Sequence, residues 1–375
     1  MYALKNSTIY TGCSIETKKV ILIEEETIID LIDEKDLPSD IRAIDLKGNN
    51  VAPGFIDIQV YGGGDSLFFA EPTKKSLEKI HADFLKSGTT HFLITIPTIS
   101  DEMVKKCIKA AQEYIDEGGK GLIGLHLEGP FINSSKKGAH IEKFIQSPSI
   151  QHLEELIKEG GDVIRMITLA PEHCTDECIQ LLQDHNIIIS AGHSNATFNQ
   201  AKEAFSKGIT TCTHLFNAMS TFSHREPGLV GAIYDSPDVY ASIIPDGYHT
   251  DFASVRISKK IMQNRLFIIT DAVVENLSGD YIYKLDSEHF VTENGTLAGS
   301  SLTMMRAVKN CIEKADLEVE EALRMASLYP SKVVNMDHYL GKIKAGYAAD
   351  FVIFDDDYNV KYTIYEGKIT EFDNN

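Results

Sequence analysis

Four ionisable residues each follow an apolar run directly. Glu128 ends GLHLE, His193 ends IIISAGH, His214 ends ITTCTH and Asp271 ends LFIITD. A carboxylate at the tip of a buried strand is costly unless something pairs with it: a metal, a basic side chain or a turn of backbone N–H groups. Glu, His and His with an open coordination position suit a catalytic divalent metal such as zinc, which makes water a hydroxide source near neutral pH. Asp271 would then be general base for the water and general acid for the leaving group. Taken singly, each residue is weak evidence. A His behind a strand is more often a hydrogen-bonded structural residue, and Glu128 alone could cap the turn at Gly129-Pro130. Their shared position, each at the end of an apolar run, is what points to chemistry.

The elements that must position them alternate. Apolar strand-like runs at Phe55–Gln59, His91–Ile96, Leu122–Leu127, Val163–Leu169, Ile187–Ser190, Thr210–Thr213, Val239–Ile244 and Leu266–Thr270 are mostly followed by amphipathic segments. The helical segments fall at Thr73–Ser87, Glu102–Asp116, near Thr175–Asp184, at Thr197–Ser206, over 250–263 and near Leu302–Ala315. Eight such repeats predict an α/β chain folded as a (β/α)8 TIM-type barrel, which gathers all four residues at the C-terminal ends of its strands. The structural rival is an open doubly wound sheet, but no GxGxxG follows the first strand. Short β-type runs at Ser7–Tyr10, Val20–Glu24 and Thr27–Ile32 are matched at the other end by Phe351–Phe354, Tyr362–Tyr365 and Lys368–Thr370, with a hairpin turn at Glu366-Gly367. Neither set makes a good sheet alone. Residues 1–53 plus 341–375 are therefore expected to form one small β-sandwich domain, and 54–340 the catalytic barrel.

Composition bounds the function. The formal net charge is −19, which argues against a general nucleic-acid or membrane binder and requires a local basic pocket for any anionic substrate. No run approaches the ~18 apolar residues of a membrane span, and MYALKNSTIYTG lacks the basic and apolar regions of a signal peptide. The expected location is cytoplasmic. Six scattered cysteines read as reduced thiols there. Cys174 and Cys178 have no second Cys or His pair at zinc-ribbon spacing.

Longer motifs carry a resemblance. APGFIDIQ, GLHLEGP, KKGAH, SAGHSNAT, THLFNAM, REPGLVGA, DGYH, ITDA and LAGSSLTM occur in this order. Over essentially the whole chain they resemble the N-acetylglucosamine-6-phosphate deacetylases of the amidohydrolase superfamily. The resemblance implies the same barrel and terminal β-sandwich. It also implies hydrolysis of the N-acetyl group of N-acetylglucosamine 6-phosphate, giving glucosamine 6-phosphate and acetate. By motif match, Glu128, His193 and His214 take the metal-ligand roles and Asp271 the acid/base role. His140 would polarise the acetamide carbonyl, beside Ala139 lining the sugar site. Asn217, Ala218, Arg225 and the Asp246-Gly247-Tyr248-His249 segment would hold sugar and phosphate, with Leu297, Ala298 and Gly299 closing the site. A homodimer is implied as well, with the phosphate site completed across the interface.

One departure matters. Many amidohydrolases carry HxH after the first strand, and here Gln59 and Tyr61 stand at those places. One divalent metal is therefore expected, with zinc favoured and iron, manganese or cobalt accommodated by the same ligands. Gln59 would be a neighbour of the site. His126, two residues before Glu128, is expected to support the barrel. The segment Val273 to Gly295 could form a β-hairpin beside the site. The alternatives are a deacetylase of the C4 epimer, N-acetylgalactosamine 6-phosphate, and a silent barrel that only senses amino-sugar phosphates. The sensor needs neither a metal hydroxide nor a proton shuttle.

Overall fold

The structure, a computed structural model, describes residues 1–372. Its centre is an eight-stranded sheet in which sequence neighbours pair: β1 (Phe55–Val60), β2 (Thr89–Ile96), β3 (Leu122–Glu128), β4 (Ile164–Leu169), β5 (Ile188–Ala191), β6 (Thr211–Cys212), β7 (Tyr240–Ile243) and β8 (Leu266–Ile268). The pairings from β2 to β8 are parallel. Every residue of β1 is buried, as befits strands covered on both faces. The barrel closes just beyond β8, where the Asp271 N–H donates to Gln59 O at 3.0 Å and the Tyr61 N–H to Ala272 O at 2.9 Å.

Helices follow most of the barrel strands in the chain, and their starts follow from capping chemistry. Ser100, Ser149, Thr175 and Asp251 each accept a backbone N–H of the first turn that follows. Thr197 and Gln200 form a reciprocal capping box. The helices at Lys74–Leu85, Asp101–Asp116, Asp176–Asp184, Phe198–Ser206, Phe252–Met262 and Met304–Glu313 lie where the periodicity places them. Further helices lie at Ile150–Gly160, Gly228–Tyr234, Val319–Ala326 and Leu328–Val333.

The chain divides into two compact units, one of Met1–Asp57, Ala82–His91 and Thr303 onward, the other of Ile58–His81 and Phe92–Leu302. The first contains two terminal sheets, one of four strands drawn from residues 2–45 and one of six strands drawn from both ends of the chain. The strand Phe351–Phe354 pairs antiparallel with Asn50–Pro53, so the two ends do meet. Leu4, Ile21, Ile23 and Ile28 of one sheet share a core with Ile9, Val51, Phe351, Ile353 and Ile364 of the other. Tyr365 pairs with Lys368 across the Glu366-Gly367 turn. In the second unit, Lys284–Asp286 and His289–Val291 form the hairpin expected within Val273 to Gly295, and Leu297–Ser300 adds a third strand.

Candidate active site

Glu128 is the last residue of β3 and is buried. Its Oε1 lies 3.0 Å from His214 Nε2 and 3.3 Å from His193 Nε2, and it accepts from Gln59 Nε2 at 2.9 Å. Its Oε2 accepts from the Tyr61 hydroxyl and lies 3.2 Å from His140 Nε2. Burial alone would favour the neutral acid. The surrounding His140, His193 and His214 imidazoles outweigh it and hold the carboxyl well below its usual range. Burial also holds His140 and His214 below the ordinary imidazole range, with the neighbouring imidazoles adding to the effect.

Strained backbone aims these groups. His193, His214 and Asp271 have φ of 46°, 36° and 53°, a region that costs non-glycine residues and is sustained where the surrounding structure over-determines it. Gly129 (φ 90°) has no such freedom to change: a Cβ there would lie 2.2 Å from Thr98 Oγ1.

The hydrogen bonds assign the imidazole protons. The Thr98 backbone N–H donates to His140 Nδ1 at 3.2 Å, so a neutral His140 carries its proton on Nε2, facing Glu128. His193 Nδ1 lies 2.8 Å from Lys136 O, an acceptor only, and so carries the proton. That leaves a lone pair on His193 Nε2. His214 Nδ1 is buried without a hydrogen-bond partner among the described residues, and its Nε2 faces Glu128 and lies 3.1 Å from His193 Nε2.

These donors fit a divalent ion. Glu128 Oε1, His193 Nε2 and His214 Nε2 form a triangle with edges of 3.3, 3.0 and 3.1 Å. That is close to the ~3.3 Å between ligands of a tetrahedral ion bonded at about 2.0 Å. Glu128, His140 and His193 also bring ligand atoms within 4.8 Å of one another. The tautomer set by Thr98 makes His140 a donor at Nε2, which suits it less to ligation than His214.

Asp271 shares a donor with Glu128: the Gln59 amide nitrogen lies 2.9 Å from Asp271 Oδ1 as well as from Glu128 Oε1. The two N–H bonds of one NH2 group thus tie the carboxylates together. His126 is occupied elsewhere in the barrel, with Nδ1 3.0 Å from Ile58 O and Nε2 2.7 Å from Thr168 Oγ1. Burial pulls its pKa down to about 3.

A cavity of about 200 Å³ opens onto this cluster and is lined by Ala139, His140, Asn217, Ala218, His249, Leu297, Ala298 and Gly299, besides Glu128, His193, His214 and Asp271. Gly299 (φ 134°) could not carry a Cβ, which would sit 2.8 Å from Val273. Arg225, Asp246, Gly247 and Tyr248 are not among the lining residues. Arg225 lies on an exposed loop, and Tyr248, half-exposed, has its ring centroid 4.2 Å from that of His289 at a tilt of 32°.

Sequence reasoning assigned no role to four residues that the structure brings to the site. Tyr61 lines the cavity and donates to Glu128; its place two residues after Gln59 was the available signal. Thr98 follows the tip of β2. Tyr281 donates to Thr98 O at 2.7 Å and, with Tyr283, lines the cavity from the 273–295 segment. Nothing local in GDYIYKL marks either tyrosine.

Comparison with known proteins identifies the family. A model described as the amidohydrolase family matches residues 50–370, and one described as the NagA composite domain matches 1–51. The N-acetylglucosamine-6-phosphate deacetylase of Haemophilus influenzae is 39% identical over 99% of both chains. The N-acetylgalactosamine-6-phosphate deacetylase of Escherichia coli O157:H7 is 30% identical over 86% of this chain and 88% of its own. The crystal structure of the N-acetylglucosamine-6-phosphate deacetylase from Pasteurella multocida superposes with a TM-score of 0.95 at 37% identity, covering 99% of this chain and 100% of that one. The chain therefore belongs to the amidohydrolase family, in the branch that holds these sugar-phosphate deacetylases.

Proposed function

We propose that the protein hydrolyses the N-acetyl group of N-acetylglucosamine 6-phosphate to give glucosamine 6-phosphate and acetate. The observation that carries this reading is the meeting of Glu128, His193, His214 and Asp271 in one cavity, in a chain similar over its full length to deacetylases of this substrate. A divalent ion, zinc by preference, held by Glu128, His193 and His214 would supply Lewis acidity toward water and the acetamide carbonyl.

The remaining steps belong to side chains. Asp271 takes a proton from the attacking water and later delivers it to the departing amine. His140 Nε2–H donates to the carbonyl oxygen as negative charge develops there. Gln59 holds Asp271 in register with Glu128 and fills the region where HxH would recruit a second ion, so one ion per chain is expected. Asn217 and Ala218 contact the sugar, while Leu297 to Gly299 close over it. For the phosphate we favour Arg225, whose planar fork suits phosphate oxygens, acting with a second subunit of a cytoplasmic homodimer. Domain limits at 53/54 and 340/341 accompany this reading.

Acetate release from N-acetylglucosamine 6-phosphate by metal-stripped protein, with each metal restored in turn, tests the proposal. Turnover is expected to return with one equivalent of ion. No release with any metal, or two ions bound per active chain, would defeat it. Galactosamine-epimer kinetics run alongside decide the sugar, and a sensor would bind without turnover.

A further inference from the structure

Asp246 stands beyond the tip of β7, as Glu128, His193, His214 and Asp271 stand at theirs, yet its carboxylate does not face the cavity. Oδ1 accepts the backbone N–H groups of Tyr248 and His249 at 2.8 and 2.7 Å. Oδ2 lies 2.6 Å from His249 Nδ1. The carboxylate is buried, and the turn that holds it is tight: Gly247 has φ 86°, and a Cβ there would meet Phe252 at 2.9 Å. All its acceptor positions with short contacts point into its own loop. His249 is the member of the loop that reaches the cavity, and its Nε2 stops 3.9 Å from Asp271 Oδ2, too far for a direct hydrogen bond.

We propose that Asp246 is a positioning residue that fixes His249 as the Nδ1–H tautomer, so that His249 presents an Nε2 lone pair beside Asp271 and recognises a hydroxyl donor of the sugar. This assigns His249 to the sugar rather than the phosphate, and rests on the deacetylase reading above. Burial pushes the Asp246 carboxyl up, but its bonds to His249 and the two backbone N–H groups outweigh that and hold it below the usual range. It therefore stays an acceptor, which the imidazole must meet with a proton on Nδ1. An anionic partner behind an imidazole also makes the far nitrogen a better acceptor.

Asp246→Asn separates this role from a merely structural one. Asparagine keeps an acceptor oxygen for the two backbone N–H groups, but it can turn an NH2 toward His249 Nδ1 and reverse the tautomer, as the corresponding change does in a Ser-His-Asp triad. We expect an unchanged melting temperature, a kcat/KM lowered about 10–100-fold and an altered pH profile. The loss should largely vanish in a His249→Gln background. It should also vanish with the monodeoxy substrate analogue that lacks the recognised hydroxyl. Nitrogen-15 NMR of the imidazole gives a readout independent of turnover: Nδ1–H in the unaltered protein, Nε2–H in the variant. A wild-type kcat/KM for Asp246→Asn, an undiminished penalty beside His249→Gln, or an Nε2–H tautomer in the unaltered protein would overturn the assignment. The last measurement decides even if the variant does not fold. Absence of acetate release by the unaltered enzyme instead strikes the deacetylase reading and leaves the tautomer result standing.

Discussion

Gln59 offsets the repulsion between the Asp271 and Glu128 carboxylates. Two carboxylates facing one small space repel, and one would be pushed toward protonation. The Gln59 amide supplies one N–H to each at 2.9 Å. This leads to a specific expectation for Asp271→Asn. An amide oxygen at that position still accepts from Gln59, so the cavity should keep its shape and its affinity for substrate. The proton shuttle is gone, and kcat should fall roughly 10²–10⁴-fold or more. Steady-state kinetics with a direct binding measurement check this, and near-normal turnover would remove Asp271 from the mechanism. The residue-scale site was legible where an apolar run ran straight into an ionisable group, as at Glu128, His193, His214 and Asp271. It was illegible where a side chain arrives from elsewhere. Tyr281 meets Thr98 O across 183 positions of chain, and no local pattern encodes that encounter.

At the scale of elements, the turn after β3 couples packing to the candidate site. Gly129 lies directly against Thr98, whose N–H and hydroxyl, 3.2 and 2.9 Å from His140 Nδ1, set the His140 tautomer. Gly129→Ala should therefore cost about 1–3 kcal/mol through its positive φ alone, with more from the displaced Thr98. A lower urea midpoint together with reduced activity is the expected pair of results. A variant as stable and active as the parent would show that this turn is free to relax. The barrel strands were readable because apolar runs and turn signals coincide. The helix Ile150–Gly160 was not, because only Leu153, Leu156 and Gly160 are buried along it, too sparse a stripe to stand out. Asn50–Pro53 hid for a different reason: a strand ending in proline has weak β signals and is recruited by its partners, Phe351–Phe354 and Thr8–Tyr10.

For the whole molecule, Asp350 ties stability to pH. Burial raises its carboxyl to about 7, against the hydrogen bond from the Glu366 N–H, with Glu366 and Glu26 adding repulsion. His91 Nδ1 stands 3.8 Å from Oδ2. Because the folded pKa lies above the unfolded one, this group's contribution to stability is full below about pH 4 and declines as pH rises to about 7. Asp350→Asn keeps an oxygen for the Glu366 N–H and removes the titration. Its melting temperature should gain on the parent steadily across that window, measured as a difference between paired scans. A constant difference would mean that Asp350 ionises freely in the folded protein. The barrel's closure carries a consequence of another kind. The main-chain bonds that join its first and last strands use Gln59 O and the Asp271 N–H, the same residues whose side chains meet beside Glu128. The seam of the cylinder and the candidate site are one place. A ligand bound there is therefore expected to rivet the wall as well, raising its resistance to unzipping.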